Sequence, residues 1–164
     1  MTKQQRLHLI EFDLLQAYFG SVETTATSII RVIRYRSFND DATEIDRTKE
    51  FLERWLRTTT ENMLRKFLMA VMSQPAITDD EQQLTVLLLS LSMLMTKVVF
   101  KSKPVSAYRL RSSSLHPAYL SPKFTTCTRQ IELAGWPSDK TEDDFIQILE
   151  ASIHACDDSA FTVA

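Results

Sequence analysis

The chain has 164 residues, the length of one domain that can bury a real hydrophobic core. Apolar residues make up 44% and charged residues 24%, and the formal net charge of -2 argues against a nucleic-acid surface, which needs a concentrated basic face. The start of the chain has no signal-peptide pattern. The most apolar segment, Leu84 to Met95, is shorter than the ~20 residues of a membrane-spanning helix, so we expect a soluble protein.

The N-terminal third is predicted to be helical. Apolar side chains recur at helical spacing from about Gln4 to Phe19, where Gly20 is a natural stop, and again from about Thr25 to Tyr35. The polar residues 37–41 are predicted to form a linker or turn. A third helix is predicted from about Ala42 to Arg57, with a stripe of apolar residues along one side.

A fourth helix is predicted to follow at once. Thr58 and Glu61 have the spacing of a capping box, which would satisfy the free amides of its first turn. Pro75 lies just past the predicted end, where a helix cannot continue. The predicted buried face consists of Met63, Leu64, Phe67, Leu68 and Val71.

The middle of the chain is predicted to form strands, because it is rich in Val, Leu, Phe and Tyr. A buried helix over Leu84–Met95 fits the same residues, since a short apolar run has no decisive period. The predicted strands are Val86–Leu89, Lys97–Lys101 and Val105–Leu110.

The C-terminal part combines a loop, a strand and a helix. Residues 111–123 are predicted to be a loop, and Thr128–Leu133 alternates polar and apolar residues as a strand does. The last helix is predicted to begin near Thr141, capped with Asp144, and to run to about Cys156. We therefore expect an α+β fold, with a small mixed β-sheet flanked by helices and preceded by a short helical segment.

Cys127 is the candidate reactive residue. It lies where a proline-bounded loop meets a strand, so it could be exposed while the strand fixes its direction, as a nucleophilic thiol requires. On these cues alone a small buried hydrophobic residue remains the commoner role of a lone cysteine. The other cysteine, Cys156, is predicted to pack in the last helix. Two cysteines and three scattered histidines do not form a zinc site, so no metal or other cofactor is expected.

The segment around Cys127 resembles the active-site motif of HECT-type ubiquitin-protein ligases. The resemblance rests on the pair Thr126-Cys127, the strand Ile131-Glu132-Leu133, the turn Ala134-Gly135-Trp136-Pro137 and the capped helix that follows. The family also has a phenylalanine four residues from the C-terminus, the place of Phe161 here.

Weaker matches lie upstream. Phe51–Trp55, with Thr60-Glu61 and Lys66–Leu68, resembles the two helices that open the C-terminal lobe of the family, and residues 14–35 resemble the end of its N-terminal lobe. The resemblance therefore implies a helical remnant of the N-lobe in residues 1–37 and a HECT C-lobe in residues 38–164.

Several positions depart from the family pattern. Thr125 stands where a histidine often precedes the threonine-cysteine pair, and Thr128 and Arg129 replace phenylalanine and asparagine. The hinge glycines are replaced by Arg36 and Ser37.

The resemblance implies a ubiquitin transferase. Cys127 would accept ubiquitin as a thioester and pass it to a substrate lysine, with Thr126 and Phe161 supporting the transfer. The implied partners are ubiquitin, a ubiquitin-conjugating enzyme bound through the N-lobe, and protein substrates, with no nucleic acid and no membrane. Reduced thiols fit the cytoplasm or the nucleus.

Two alternatives remain open. The first is a degenerate, non-catalytic HECT lobe that acts as a ubiquitin- or partner-binding module, which the change at Thr125 favours. The second is an unrelated cysteine hydrolase, for which His116 would be the nearby partner. The acidic residues Asp157 and Asp158 are expected to be solvated at the end of the last helix.

Overall fold

The computed structural model describes residues 23–37, 42–78, 81–90 and 120–160. Its elements, in chain order, are α1 (Ala26–Val32), β1 (Ile33–Ser37), α2 (Ala42–Thr58), α3 (Glu61–Met72), β2 (Leu84–Leu89), β3 (Lys123–Thr125), a 3-10 turn (Thr126–Thr128), β4 (Gln130–Ala134) and α4 (Glu142–Ala160). The predicted helix from Gln4 to Phe19 and the predicted strands Lys97–Lys101 and Val105–Leu110 lie outside the described residues.

The described strands form one mixed sheet in the order β1-β2-β4-β3. The strands β1, β2 and β4 run parallel, and β3 runs antiparallel to β4. The expected α+β class with a small mixed sheet is therefore confirmed. The central strand β2 buries Leu84, Val86 and Leu88, so the predicted strand Val86–Leu89 is also confirmed.

Aromatic side chains join the three longer helices into one core. The rings of Trp55 on α2 and Phe67 on α3 meet edge to face, with their centroids 5.7 Å apart. On the next helix, Phe145 of α4 packs 5.9 Å from Phe51 of α2. The indole N–H of Trp55 also donates to the carboxylate of Glu150 on α4 over 2.9 Å. Aromatic ring pairs of this kind stabilise the packing by ~0.5–1.5 kcal/mol each, beyond the contribution of the area that they bury.

The turn after β4 is fastened to α2 through one buried hydroxyl. The hydroxyl oxygen of Thr48 accepts from the backbone N–H of Trp136 over 2.8 Å, and lies 2.9 Å from the carbonyl oxygens of Glu44 and Ala134. The backbone comes so close here that a Cβ at Gly135 would lie 3.2 Å from the Cβ of Glu44. A side chain at position 135 would therefore crowd Glu44 where β4 leaves the sheet.

The prediction of one helix from Thr25 to Tyr35 is wrong in its last three residues. Thr25 does cap α1, since its hydroxyl accepts from the N–H of Ser28, but the helix ends at Val32. From Ile33 onward the chain is a strand, with Ile33 paired to Leu84 in β2. The pairing to β2 replaces the hydrogen bonds that a longer helix would have made.

The predicted start of the fourth helix is also wrong. The cap of α3 is Thr60, whose hydroxyl accepts from the N–H of Met63 over 3.3 Å. Thr58 is the last residue of α2, and its hydroxyl donates to the carbonyl oxygen of Arg54. The expected stop before Pro75 is confirmed, because α3 ends at Met72.

The last strand and helix agree better with the sequence. The strand begins at Gln130 rather than at Thr128, because the 3-10 turn occupies the residues before it. The capping box of α4 is confirmed: Thr141 accepts from the N–H of Asp144, and the Asp144 carboxylate accepts from the N–H of Thr141. The predicted core face is buried at Phe145, Leu149 and Ile153 and partly buried at Ile148.

Candidate functional site

Cys127 lies at the tip of a tight connection between two paired strands. The antiparallel pairing of β3 with β4 ends at Thr125 and Gln130, and the 3-10 turn with Arg129 spans the gap between them. Because the strands pair right up to the turn, the position of Cys127 is set by the sheet.

Hydrogen bonds tie both sides of this turn. The backbone N–H of Arg129 donates to the carbonyl oxygen of Thr126 over 3.2 Å. The hydroxyl of Thr128 donates to the carbonyl oxygen of Thr125 over 3.3 Å. The residues on either side of Cys127 are therefore held in place, which a reacting group needs.

Arg129 adopts the left-handed conformation, with φ 50° and ψ 52°. This conformation costs a residue other than glycine ~1–2 kcal/mol. It turns the chain from the 3-10 turn into β4, and it places the carbonyl of Arg129 where it accepts from the N–H of Thr85 in β2 over 2.9 Å. The turn that carries Cys127 is thus anchored to the centre of the sheet.

The Cys127 thiol is exposed, and so are Thr126 and Thr128 beside it. The sequence raised two readings of Cys127, and the structure favours the exposed one over the buried hydrophobic residue. Whether the thiol reacts as a nucleophile stays a prediction.

A cleft of about 280 Å³ opens beside the turn. Its walls come from α3, from β3 with the turn, and from the last turns of α4. The lining residues are Lys66, Met69, Ala70, Ser73, Phe124, Thr126, Cys156 and Asp157.

An ion pair links two walls of this cleft. The Lys66 ammonium lies 3.1 Å from the Asp157 carboxylate, which connects α3 to α4. Asp157, expected to be solvated near the end of its helix, keeps 41% of its side chain exposed and forms this ion pair at the same time. The two helices bring together groups that are far apart in the sequence.

Cys156 lines the cleft but is chemically unlike Cys127. It is partly buried, and this burial raises the pKa of its thiol. A raised pKa keeps the thiol protonated near neutral pH and lowers its reactivity. This agrees with the packing role predicted for Cys156.

The structure describes only some of the predicted site residues. Cys127 and Thr126 are adjacent on the turn, and Thr126 also lines the cleft. Phe161 and His116 lie outside the described residues. Sequence reasoning did not single out Met69, a large apolar residue off the predicted buried face of its helix. In the structure Met69 lines the cleft and is 47% exposed.

The described residues therefore define a small α+β domain that presents a thiol on a hairpin turn. Neither a protein-family model nor a curated protein sequence matches this chain. Within the described ranges, no group of three or more His, Cys, Asp and Glu side chains could hold a metal ion. The helices described here include none that is long and apolar enough to cross a membrane.

Proposed function

We propose that this protein is the catalytic C-lobe of a HECT-type ubiquitin-protein ligase, with Cys127 as the residue that carries ubiquitin. The observation that carries the proposal is the exposed Cys127 thiol on a hairpin turn fixed to the sheet on both sides. The sequence around this thiol is also the part of the chain that most resembles the family motif.

The proposed reaction has two steps. In the first, the Cys127 thiolate attacks the thioester carbon of ubiquitin on a conjugating enzyme, and the sulfur of that enzyme leaves as a thiolate. In the second, a lysine amine of a protein substrate attacks the new thioester. An isopeptide bond forms, the amine loses a proton, and the Cys127 thiolate is released.

The exposure of the turn suits this chemistry, because two protein partners must reach the same sulfur in turn. Thr126 directly precedes Cys127 on the turn, and its hydroxyl would position the ubiquitin carbonyl. Phe161 would support the second step. In this proposal residues 38–164 form the C-lobe, residues 1–37 come from the end of the N-lobe, and the conjugating enzyme binds through the N-lobe.

The test is an electrophilic ubiquitin probe that forms a covalent bond with an accepting thiol. The chain, Cys127→Ala and Cys156→Ala are each incubated with the probe and weighed intact by mass spectrometry. We expect one ubiquitin adduct on the wild type and on Cys156→Ala, and none on Cys127→Ala. The proposal fails if the adduct survives in Cys127→Ala, or if the wild type stays unmodified where an intact HECT ligase reacts.

A second function is favoured by Thr125, which stands where the family often has a histidine. Thr125 closes the strand pairing directly before the turn, so the position beside the thiol carries no imidazole. A lobe of this kind would bind ubiquitin or another partner through its surface without forming a thioester. Two measurements separate the two functions: titration of Cys127→Ser with ubiquitin, and the probe reaction of the wild type. Ubiquitin binding by Cys127→Ser together with no adduct on the wild type supports the binding module. An adduct that needs Cys127 supports the transferase.

A further inference from the structure

Exposed cationic side chains lie along β1, the outermost of the four described strands. Arg34 and Arg36 are both exposed on this strand. Tyr35 between them faces α2, where its hydroxyl donates to the carboxylate of Glu53 over 3.1 Å. Because neighbouring residues of a strand point to opposite faces of the sheet, Arg34 and Arg36 point away from α2.

Two cations of α2 continue this surface on the other side of β1. The Lys49 ammonium lies 4.9 Å from the centre of the Tyr35 ring. The Arg57 guanidinium lies 3.9 Å from the carboxylate of Glu53, the same group that accepts from Tyr35. Both cations are exposed. The basic strip is defined by these four side chains: Arg34, Arg36, Lys49 and Arg57.

The positive charge of the basic strip is concentrated, although the chain as a whole carries a formal net charge of -2. Within the described ranges, the ion pair of Arg57 with Glu53 is the one that the strip makes, and that carboxylate is shared with Tyr35. Like charges that crowd on a folded surface repel one another, and a bound anion relieves this repulsion. The strip therefore favours an anionic partner.

The geometry of β1 favours an extended partner. Arg34 is held in place, because its guanidinium donates to the carbonyl oxygens of Arg31 and Ile33, each over 3.1 Å. Arg34 and Arg36 are two residues apart on one face of a strand, a spacing of ~6.6 Å. An extended polypeptide with acidic residues at every second position presents its carboxylates with the same repeat.

We propose that the basic strip binds an extended acidic segment of a partner protein. Single-stranded nucleic acid fits less well, because it requires aromatic rings for its bases, whereas Tyr35 is half-buried beneath Lys49. A lipid surface also fits less well, since amphipathic membrane binding adds apolar side chains to the cations. The exposed large apolar side chain of the described residues, Met69, lies on α3 beside the cleft instead.

This inference goes beyond the ubiquitin-transfer proposal and does not rest on it. In the sheet, β2 separates β1 from β4, the strand that follows Cys127, so the strip and the Cys127 turn are different surfaces. The test therefore needs neither ubiquitin nor a reactive thiol.

The probe is a short fluorescein-labelled peptide in which Glu and Ser alternate, and its binding to the full chain is measured by fluorescence anisotropy. We expect saturable binding that weakens as the ionic strength rises, because salt screens contacts between exposed charges. A peptide of the same length with Gln in place of Glu should not bind.

Two double variants that remove the same number of charges form a matched pair. Arg36→Gln/Lys49→Gln should raise the Kd of the acidic peptide at least about fivefold, because two exposed ion pairs with the peptide are lost. Lys123→Gln/Arg129→Gln removes two exposed cations near the opposite edge of the sheet and should change the Kd by less than about twofold. Circular dichroism checks that both variants are folded.

Equal weakening in the two double variants would mean that the peptide senses only the net charge of the chain, and it would overturn the proposal. The absence of peptide binding at low ionic strength would overturn it as well. Oligothymidine or phosphatidylserine vesicles that bind the strip more tightly than the peptide would assign it to nucleic acid or to a membrane. Self-association that is lost in Arg36→Gln/Lys49→Gln would assign it to a second copy of the chain.

Discussion

At the scale of single residues, the first feature is one polar side chain that lies inside the hydrophobic core. Thr48 lies fully buried between Ile45 and Leu52 on the apolar stripe of α2. Its single hydroxyl proton is within reach of two carbonyl oxygens while its oxygen accepts from Trp136. A polar residue on an apolar stripe was the only sign of this in the sequence, and the partners came from the fold.

Thr48→Val keeps the shape of the side chain and removes the hydroxyl. We expect the free energy of unfolding to fall by ~1–3 kcal/mol, because buried polar groups of the β4 turn lose a partner. Urea unfolding followed by circular dichroism measures the change. Thr43→Val, at an exposed position on the same helix, should change stability by less than ~0.5 kcal/mol. Equal effects of the two substitutions would contradict this role for Thr48.

The same scale decides the candidate site. The sequence predicted that Cys127 lies where a loop meets a strand. In the structure it lies on the 3-10 turn that precedes this strand. The left-handed Arg129 makes this turn possible. No sequence pattern predicted this left-handed conformation, because there is no glycine or asparagine at that position to mark a residue with positive φ.

At the scale of elements, the caps determine where helices begin. Two threonines near the start of α3 looked equivalent in the sequence, yet only Thr60 caps it. Thr58 instead continues α2 for one more residue and bonds back within its own helix. A capping box was predicted from spacing alone, and spacing does not show which threonine leaves the preceding helix.

These two threonines make a matched pair. Thr60→Ala removes the cap of α3, and we expect it to lower the free energy of unfolding by about 1 kcal/mol. Thr58→Ala should cost less than ~0.5 kcal/mol, since its hydroxyl is exposed and bonds a carbonyl that already belongs to a helix. Chemical unfolding of both variants measures the two changes in the free energy of unfolding. A larger loss of stability in Thr58→Ala than in Thr60→Ala would mean that Thr58 caps α3, as the sequence suggested.

At the scale of the whole molecule, β1 belongs to the same packed body as the turn that carries Cys127. β1 pairs with β2, and β2 pairs with β4, the strand that follows Cys127. Tyr35 of β1 donates to Glu53 of α2 over 3.1 Å, and the Lys49 ammonium lies 4.9 Å from its ring. Burial and the Glu53 carboxylate raise the pKa of Tyr35. The assignment of residues 1–37 to a neighbouring lobe stays a prediction, but residues 33–37 form part of this sheet.

Ile29→Ala tests this shared core. Ile29 on α1 is fully buried, so the cavity should lower the free energy of unfolding by ~2–5 kcal/mol in the same transition that unfolds the rest of the described fold. Ile30, its partly buried neighbour, provides the comparison, and Ile30→Ala should cost clearly less. Denaturant unfolding monitored by the fluorescence of Trp55 and Trp136 reports on α2 and the turn after β4. An unchanged transition midpoint in Ile29→Ala would show that α1 unfolds separately.

The sequence by itself determined the elements whose signals are local. Apolar spacing located α2 and α4, the Thr141–Asp144 pair marked the start of α4, and the run before Ser90 indicated a strand. These signals suffice because caps and periodicity act between residues a few positions apart. The motif around Cys127 was likewise visible in the sequence.

Only the tertiary structure decided the rest. It turned the end of a predicted helix, from Ile33 onward, into part of β1, because the parallel strand β2, far along the chain, provides backbone hydrogen bonds there. It also brought Lys66 of α3 and Asp157 of α4 to one cleft beside Thr126. Strand pairing and helix packing join residues that no local pattern connects, so the shape of the site and the cleft next to it could be known only from the folded chain.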